Sequence, residues 1–264
     1  MSIIVCVKGV PVSDHVAIDP QTHRLERTTT ATHLDPADRY ALAAAKMLRI
    51  TPDEDIIALC MGAPNNEHLL RTTLAMGATR AVLLTDKAFA GADTLATATA
   101  LTAAIRHCNG VRLVITGTQS TDADTGQVGG NIAAQLGWEL LPNITRIVPD
   151  EPAMVTSQLG TTATTFSLTT QAVLTVGPAA TFAPAAMTVA QAAAVDPAHQ
   201  LQTWDAATIG CAPATVGQKG SATTVTALTP VHPTKRTATA LANDAPTAVD
   251  QLSTLIQQSR EVIK

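Results

Sequence analysis

Residues 112–137 read RLVITGTQSTDADTGQVGGNIAAQLG. A short apolar run ends in Gly117. A polar loop follows, with Asp122, Asp124, a Thr-Gly-Gln and a Gly-Gly pair, and then apolar residues recur at helical spacing up to Gly137. That is a strand, a loop and a helix, with the glycines and polar groups gathered where the strand ends.

Upstream the same unit repeats. IIVCV (3–7) reads as a buried strand, and DPADRYALAAAKMLRI (35–50) as a helix with Asp35 as N-cap and Pro36 at its first position. DIIALCMG (55–62) is a second strand, followed by the helix NNEHLLRTTLAMG (65–77), closed by Gly77. AVLLTD (81–86) is a third strand, and ADTLATATALTAAIRH (92–107) a helix capped by Asp93 or Thr94. RLVITG (112–117) is the fourth strand. Continuously apolar strands separated by helices imply a doubly wound, mostly parallel α/β sheet with helices on both faces. In such sheets ligands sit beyond the carboxyl ends of the strands. The rule gathers Cys6-Val7-Lys8, Met61-Gly62, Phe89 to Thr94 and Gly117 to Gly130 around one crevice.

Composition narrows the function. The 264 residues suffice for one large domain or a domain with an extension. Aromatic residues make up 2% of the chain and the net charge is -4, which argues against a nucleic-acid reader that stacks bases or follows phosphates. The apolar runs fall short of the ~18 residues that a membrane helix needs. MSIIVCVKGVP has no basic n-region, and Lys8 and Pro11 interrupt it, so a cytoplasmic protein is expected. Cys6, Cys60, Cys108 and Cys211 are scattered without metal-ligand spacing and read as reduced thiols.

Beyond residue 145 the pattern changes. MVTSQLG and TTATTFSLTT read as a hairpin turning at Gly160, and QAVLTVG (171–177) as a further apolar strand that returns to the sheet. Between Ile147 and Gln218 there is no Lys or Arg, which points to a surface buried against another chain. From 216 the chain reads as an extended arm, ending in the amphipathic helix TAVDQLSTLIQQSREVI (247–263), with Val249, Leu252, Leu255 and Ile256 on one face. The expected division is therefore a nucleotide-binding domain over 1–215 and an arm over 216–264.

The crevice chemistry points to a nucleotide rather than to bond-breaking catalysis. There is no metal-ligand set, nucleophile motif, GxxxxGK[ST] or GxGxxG. Backbone N–H groups near Thr125 to Gly130 suit phosphate oxygens, and the glycines allow close approach. Asp122 and Asp124 suit ribose hydroxyls or helix capping, and Gln127 an adenine edge or a phosphate. Thr94 and Thr97 are spaced to turn both hydroxyls toward the same crevice. Lys8 is either a phosphate cation or a solvated lysine. The alternative for the whole loop is a capped helix that holds no ligand.

With VCVKGVP (5–11), DPADRYAL (35–42), LAMGATRAVLLTDKAFAGADTLAT (74–97), GTQSTDADTGQVG (117–129) and VGQKGSATTV (216–225), the chain resembles the small (beta) subunit of electron-transfer flavoproteins over nearly its whole length. The resemblance implies an adenine-nucleotide alpha-hydrolase-like domain whose C-terminal arm wraps a large (alpha) subunit. That large subunit carries FAD and exchanges electrons with an acyl-CoA dehydrogenase or a related flavoenzyme. In one branch of the family the small subunit holds a structural AMP. In the electron-bifurcating branch, with its nitrogen-fixation relatives, it holds a second FAD reduced by NADH, whose electrons divide between ferredoxin or flavodoxin and the large-subunit FAD. The short loop D-x-D-T-G-Q-V-G resembles the second branch.

The nucleotide contacts carried over are Cys6, Val7, Lys8, Met61, Gly62, Ala92, Asp93, Thr94, Thr97, Asp122, Asp124, Thr125, Gly126, Gln127, Val128 and Gly129, with no catalytic acid or base. The chain departs from the family at Gly9, usually Gln, at Val12-Ser13, usually Asp-Thr, and at Asp35, usually Asn. A carboxylate at 35 either disfavours a nearby phosphate or anionic flavin or simply caps the helix. GPAATFAPAAMTVAQAAAVDP, where relatives carry Arg and Lys to meet the dehydrogenase, holds no base. A reading from another class, a stand-alone adenine-nucleotide sensor, leaves the arm without a use.

Overall fold

Runs that are apolar at every position have no face to give to water, so they become central strands. Ser2–Val7 (β1) is buried at all six positions, and Asp55–Met61 (β2), Arg80–Leu84 (β3) and Val111–Gly117 (β4) are buried except near their ends. The computed structural model describes residues 1–12, 18–19, 24–25, 31–226 and 240–262. Five further strands complete one nine-stranded sheet: Glu139–Val148 (β5), Met154–Leu159 (β6), Thr162–Ser167 (β7), Ala172–Val176 (β8) and Leu201–Trp204 (β9). The spatial order is β7-β6-β5-β8-β4-β1-β2-β3-β9. The pairings from β5 across to β9 are parallel, and β6 and β7 add an antiparallel margin.

Alternate residues of β1 serve two cores, as the pleat requires. Ile3, Val5 and Val7 pack under Pro36–Leu48 (α1) and Glu67–Ala75 (α2), through Leu42, Leu48, Leu70 and Leu74. Ile4 and Cys6 face the opposite layer, Thr94–His107 (α3) and Val128–Leu136 (α4), through Leu101, Ile105 and Ile132. The sheet is thus covered on both faces, as the sequence pattern requires. Asp35 caps α1, its Oδ1 accepting from Ala37 N at 3.0 Å, and Gly137 ends α4 in the left-handed conformation at φ 71°.

The hairpin turns at Gly160 (φ 59°), and 172–176 returns to the middle of the sheet between β5 and β4. Two strands of this nine-stranded sheet are not foreseen in the sequence reading. ELLPNITRIV (139–148) carries a proline and a mixed burial pattern, and LQTW (201–204) is only four residues long. At the sheet margin all six residues of β7 are exposed.

Packing divides the chain into Met1–Thr226 and Ala227–Lys264. In the second unit the helix Ala245–Val262 exposes Val249, Leu252, Leu255 and Ile256, and Ala242 N donates to Gln251 Oε1 at 2.9 Å. No helix among the described residues is long and apolar enough to cross a membrane.

At the amino ends of the strands a buried ion pair joins the layers. Arg112 donates from Nε to Glu54 Oε1 at 2.5 Å and from Nη2 to Glu54 Oε2 at 2.9 Å, while Nη2 also meets Leu48 O at 2.5 Å. The Glu54 side chain is 1% exposed. Removing one member of such a pair strands the other charge in the protein. Arg112→Ala is expected to lower stability by about 3 kcal/mol, measured by urea unfolding; a loss within about 0.5 kcal/mol would mean that water replaces the pair.

Candidate functional site

β1 lies between β2 and β4, so the connections leaving its two sides diverge and open a crevice at their carboxyl ends. Lys8 follows β1, and the loop 118–127 follows β4. The head of α1 fastens both. Asp38, 4% exposed, accepts Lys8 N on Oδ2 at 2.6 Å and also takes the N–H of Gly117. Asp35, 1% exposed, accepts Thr121 N at 2.7 Å and Thr121 Oγ1 at 3.1 Å on Oδ2, and its own N–H donates to Lys8 O at 3.0 Å. Gly117 allows the approach, since a Cβ there would stand 2.9 Å from Asp38 Oδ1.

Lys8 is an engaged cation, although its side chain remains 35% exposed. Its Nζ meets Asp122 Oδ1 at 2.6 Å and donates to Ser120 Oγ at 3.1 Å, so the lysine ties the loop back to β1. Burial pushes the Asp122 carboxyl up, but hydrogen bonds from Lys8 and Ser120, with the Lys8 charge, outweigh it and hold the group below the usual carboxylate range. Asp38 goes the other way. Burial drives its carboxyl well above that range, and neighbouring Asp35 adds to the rise against the N–H groups of Lys8 and Gly117.

The loop's outer half carries the backbone features of a ligand cradle. Asp124 (φ 53°) and Gly126 (φ 62°) take left-handed conformations, and Asp124 N closes a turn on Ser120 O at 2.9 Å. Residues 121–127 are exposed. α4 begins at Val128 without a side-chain cap, in contrast to α1 and α3. Gly129 packs its bare Cα against Thr116 and Thr175, where a Cβ would come within 2.8 and 2.9 Å of side-chain atoms. Across the crevice Thr94 Oγ1 donates to Gln127 Oε1 at 2.8 Å, which leaves the Gln127 amide N–H₂ as a donor.

Asp93 caps α3, Oδ1 accepting Ala96 N at 2.9 Å, and its Oδ2 receives Thr223 N at 2.9 Å and Thr223 Oγ1 at 3.0 Å. Burial raises its carboxyl, and these N–H and O–H donors outweigh that and hold it below the usual range.

The structure thus gathers Lys8, Thr94, Asp122, Asp124, Thr125, Gly126, Gln127 and Gly129 through the loops after β1 and β4 and the heads of α3 and α4. Cys6 and Val7 are buried in the two cores, and burial pushes the Cys6 thiol far up, so only their main chain faces the strand end. Met61 and Val128 pack partly into the core beside α3. Gly62 N bonds Leu84 O at 3.0 Å, and Gly62 lies against Asn66, whose Nδ2 would be 2.2 Å from a Cβ. Thr97 continues α3, its N–H on Asp93 O at 2.9 Å, and Ala92 is half-buried before it. Asp35 is turned to Ala37 and Thr121 and serves as cap and loop anchor together. Sequence reasoning gave no role to Asp38, took Ser120 and Thr121 only as part of the crevice segment Gly117 to Gly130, and took 217–223 only as part of the arm. The one available signal was the second Asp in DPAD, three residues after the cap.

The family model of the electron transfer flavoprotein domain matches residues 22–201. The chain belongs to the electron transfer flavoprotein family. Among its relatives are subunit CarD of the caffeyl-CoA reductase-Etf complex of Acetobacterium woodii, 41% identical over 161 residues, covering 60% of this chain and 62% of that one. Protein FixA of Azorhizobium caulinodans is 43% identical over 151 residues, 56% of this chain and 54% of that one. The electron transfer flavoprotein subunit beta of Clostridium acetobutylicum is 41% identical over 147 residues, 56% of this chain and 55% of that one. The matched part of this flavoprotein chain spans less than two thirds of each of these relatives.

Asp38 gives a pH signature. A carboxyl whose folded pKa is raised favours the folded state while it is protonated in both states, below its unfolded value of about 4. That contribution is lost as pH rises toward the folded pKa. Relative to Asp38→Asn, the wild type is expected to lose stability as pH rises above about 4 toward the folded pKa, read from urea midpoints; parallel pH curves would show that Asp38 titrates as it does unfolded.

Proposed function

We propose that this chain is the small subunit of a two-subunit electron-transfer flavoprotein and that the crevice over β1 and β4 holds an adenine nucleotide, FAD. The observation that carries the reading is the uncapped, glycine-lined head of α4 beside the Thr94–Gln127 pair, at the switch point of the sheet. The residues present fit such a group. Uncapped N–H groups suit phosphate oxygens, and Gln127 and Thr94 supply polar contacts.

The acidic residues nearby do not argue against an anion. Asp122 is paired with Lys8, and Asp35 and Asp38 are buried and turned to backbone N–H groups. When bound, the flavin supplies the redox chemistry, taking electrons from NADH and passing them on; the chain's residues hold and orient it. FAD rather than AMP is favoured by the short loop 117–129, which resembles the bifurcating branch. The partners in this reading are a large subunit with its own FAD, an acyl-CoA-type dehydrogenase, and ferredoxin or flavodoxin. The arm from 216 and the surface between 147 and 218, which lacks Lys and Arg, meet those partners.

The test is a nucleotide count on the chain co-purified with its large subunit, released by denaturation and separated by chromatography. Two FAD and no AMP per heterodimer are expected. One FAD and one AMP would make the subunit a scaffold and end the bifurcation reading. No nucleotide beyond the large subunit's own FAD would overturn the crevice assignment itself.

A further inference from the structure

The segment Val216–Thr223 lies across the head of α3, and its hold there is specific. Val216 is fully buried in the core beside α3. Gly217 (φ 60°) passes so close to the loop 88–90 that a Cβ would stand 2.0 Å from Ala88 O, so no other residue fits. Gln218 N donates to Ala90 O at 3.0 Å. Ser221 Oγ receives Asp93 N at 2.9 Å and donates to Gly217 O at 2.8 Å. Thr223 closes the segment with two hydrogen bonds to Asp93 Oδ2.

Asp93 therefore does two things with one carboxylate. One oxygen fixes the first turn of α3, and the other fixes the segment. The next residue, Thr94, bonds Gln127 at the head of α4. The hydrogen bonds from Thr223 to Asp93 and from Thr94 to Gln127 are joined by the Asp93–Thr94 peptide bond, which links the segment to the head of α4. The segment lies close to the end of the first compact unit, at Thr226.

We propose that Ser221 and Thr223 are positioning residues for the nucleotide, acting through Asp93, so that nucleotide binding and docking of this segment reinforce one another. The proposal rests on the crevice reading above. Binding that needs the heads of α3 and α4 in one arrangement favours the docked segment, and by linkage the docked segment favours binding to the same degree.

The test uses the two-subunit complex, stripped of nucleotide and titrated with FAD and with AMP, as wild type, Thr223→Val and Thr223→Ser. Thr223→Val keeps the shape and the N–H but loses the hydroxyl. It is expected to weaken the nucleotide that the wild type binds by about fivefold, and Thr223→Ser to restore it. In the wild type alone, the same nucleotide is expected to slow amide exchange over 216–223. Equal affinity in Thr223→Val, or exchange over 216–223 that ignores nucleotide, would overturn the coupling while leaving the crevice reading in place. A wild-type complex that takes up neither FAD nor AMP would remove the reading and the coupling with it.

Discussion

Two carboxyl groups at the head of α1 hold the crevice together. Asp38 takes the N–H groups of Lys8 and Gly117, one from each side of the switch point, and Asp35 takes both donors of Thr121 in the loop beyond β4. Strands that end side by side would otherwise leave the partly buried N–H groups of Lys8 and Gly117 without partners, and a buried donor left unsatisfied costs about 1–3 kcal/mol. The loop 118–127 has no regular secondary structure and is largely exposed, so its course depends on these anchors and on the Lys8–Asp122 pair. The loop's share of the candidate crevice is placed relative to them.

This arrangement also settles the electrostatics of an acidic crevice. Asp122 is stabilised as an anion by Lys8, whereas Asp38 is pushed toward its neutral form by burial. The negative charge that the loop's sequence suggests is thus partly neutralised by an ion pair. The first turn of α4, left without a cap of its own, is then the open electropositive element.

Much of this was legible in the sequence because the physics involved is local. Apolar runs such as IIVCV, the DP start of α1 and the Gly137 stop of α4 each fix an element by themselves. β5 was missed because ELLPNITRIV is half-exposed, with a mixed pattern imposed by its place next to the antiparallel margin. The loops were correctly gathered at one end of the sheet, since that follows from topology. What the sequence could not show is partnership across long separations. Lys8 reads as a free cation until Asp122 is found 2.6 Å away, and Thr223 has no visible reason to serve Asp93, 130 residues earlier. Asp35 reads as a threat to phosphate until its oxygens are seen to be occupied.

The central claim is that an adenine nucleotide lies over the ends of β1 and β4. Photolabelling of the nucleotide-stripped two-subunit complex with an azido-adenine nucleotide, followed by peptide mapping, tests it most directly. The account predicts label on this chain within the segments 6–8, 61–62, 91–97 or 118–130, displaced by the unlabelled nucleotide. Displaceable label confined to other parts of this chain, or none on it at all, would contradict it.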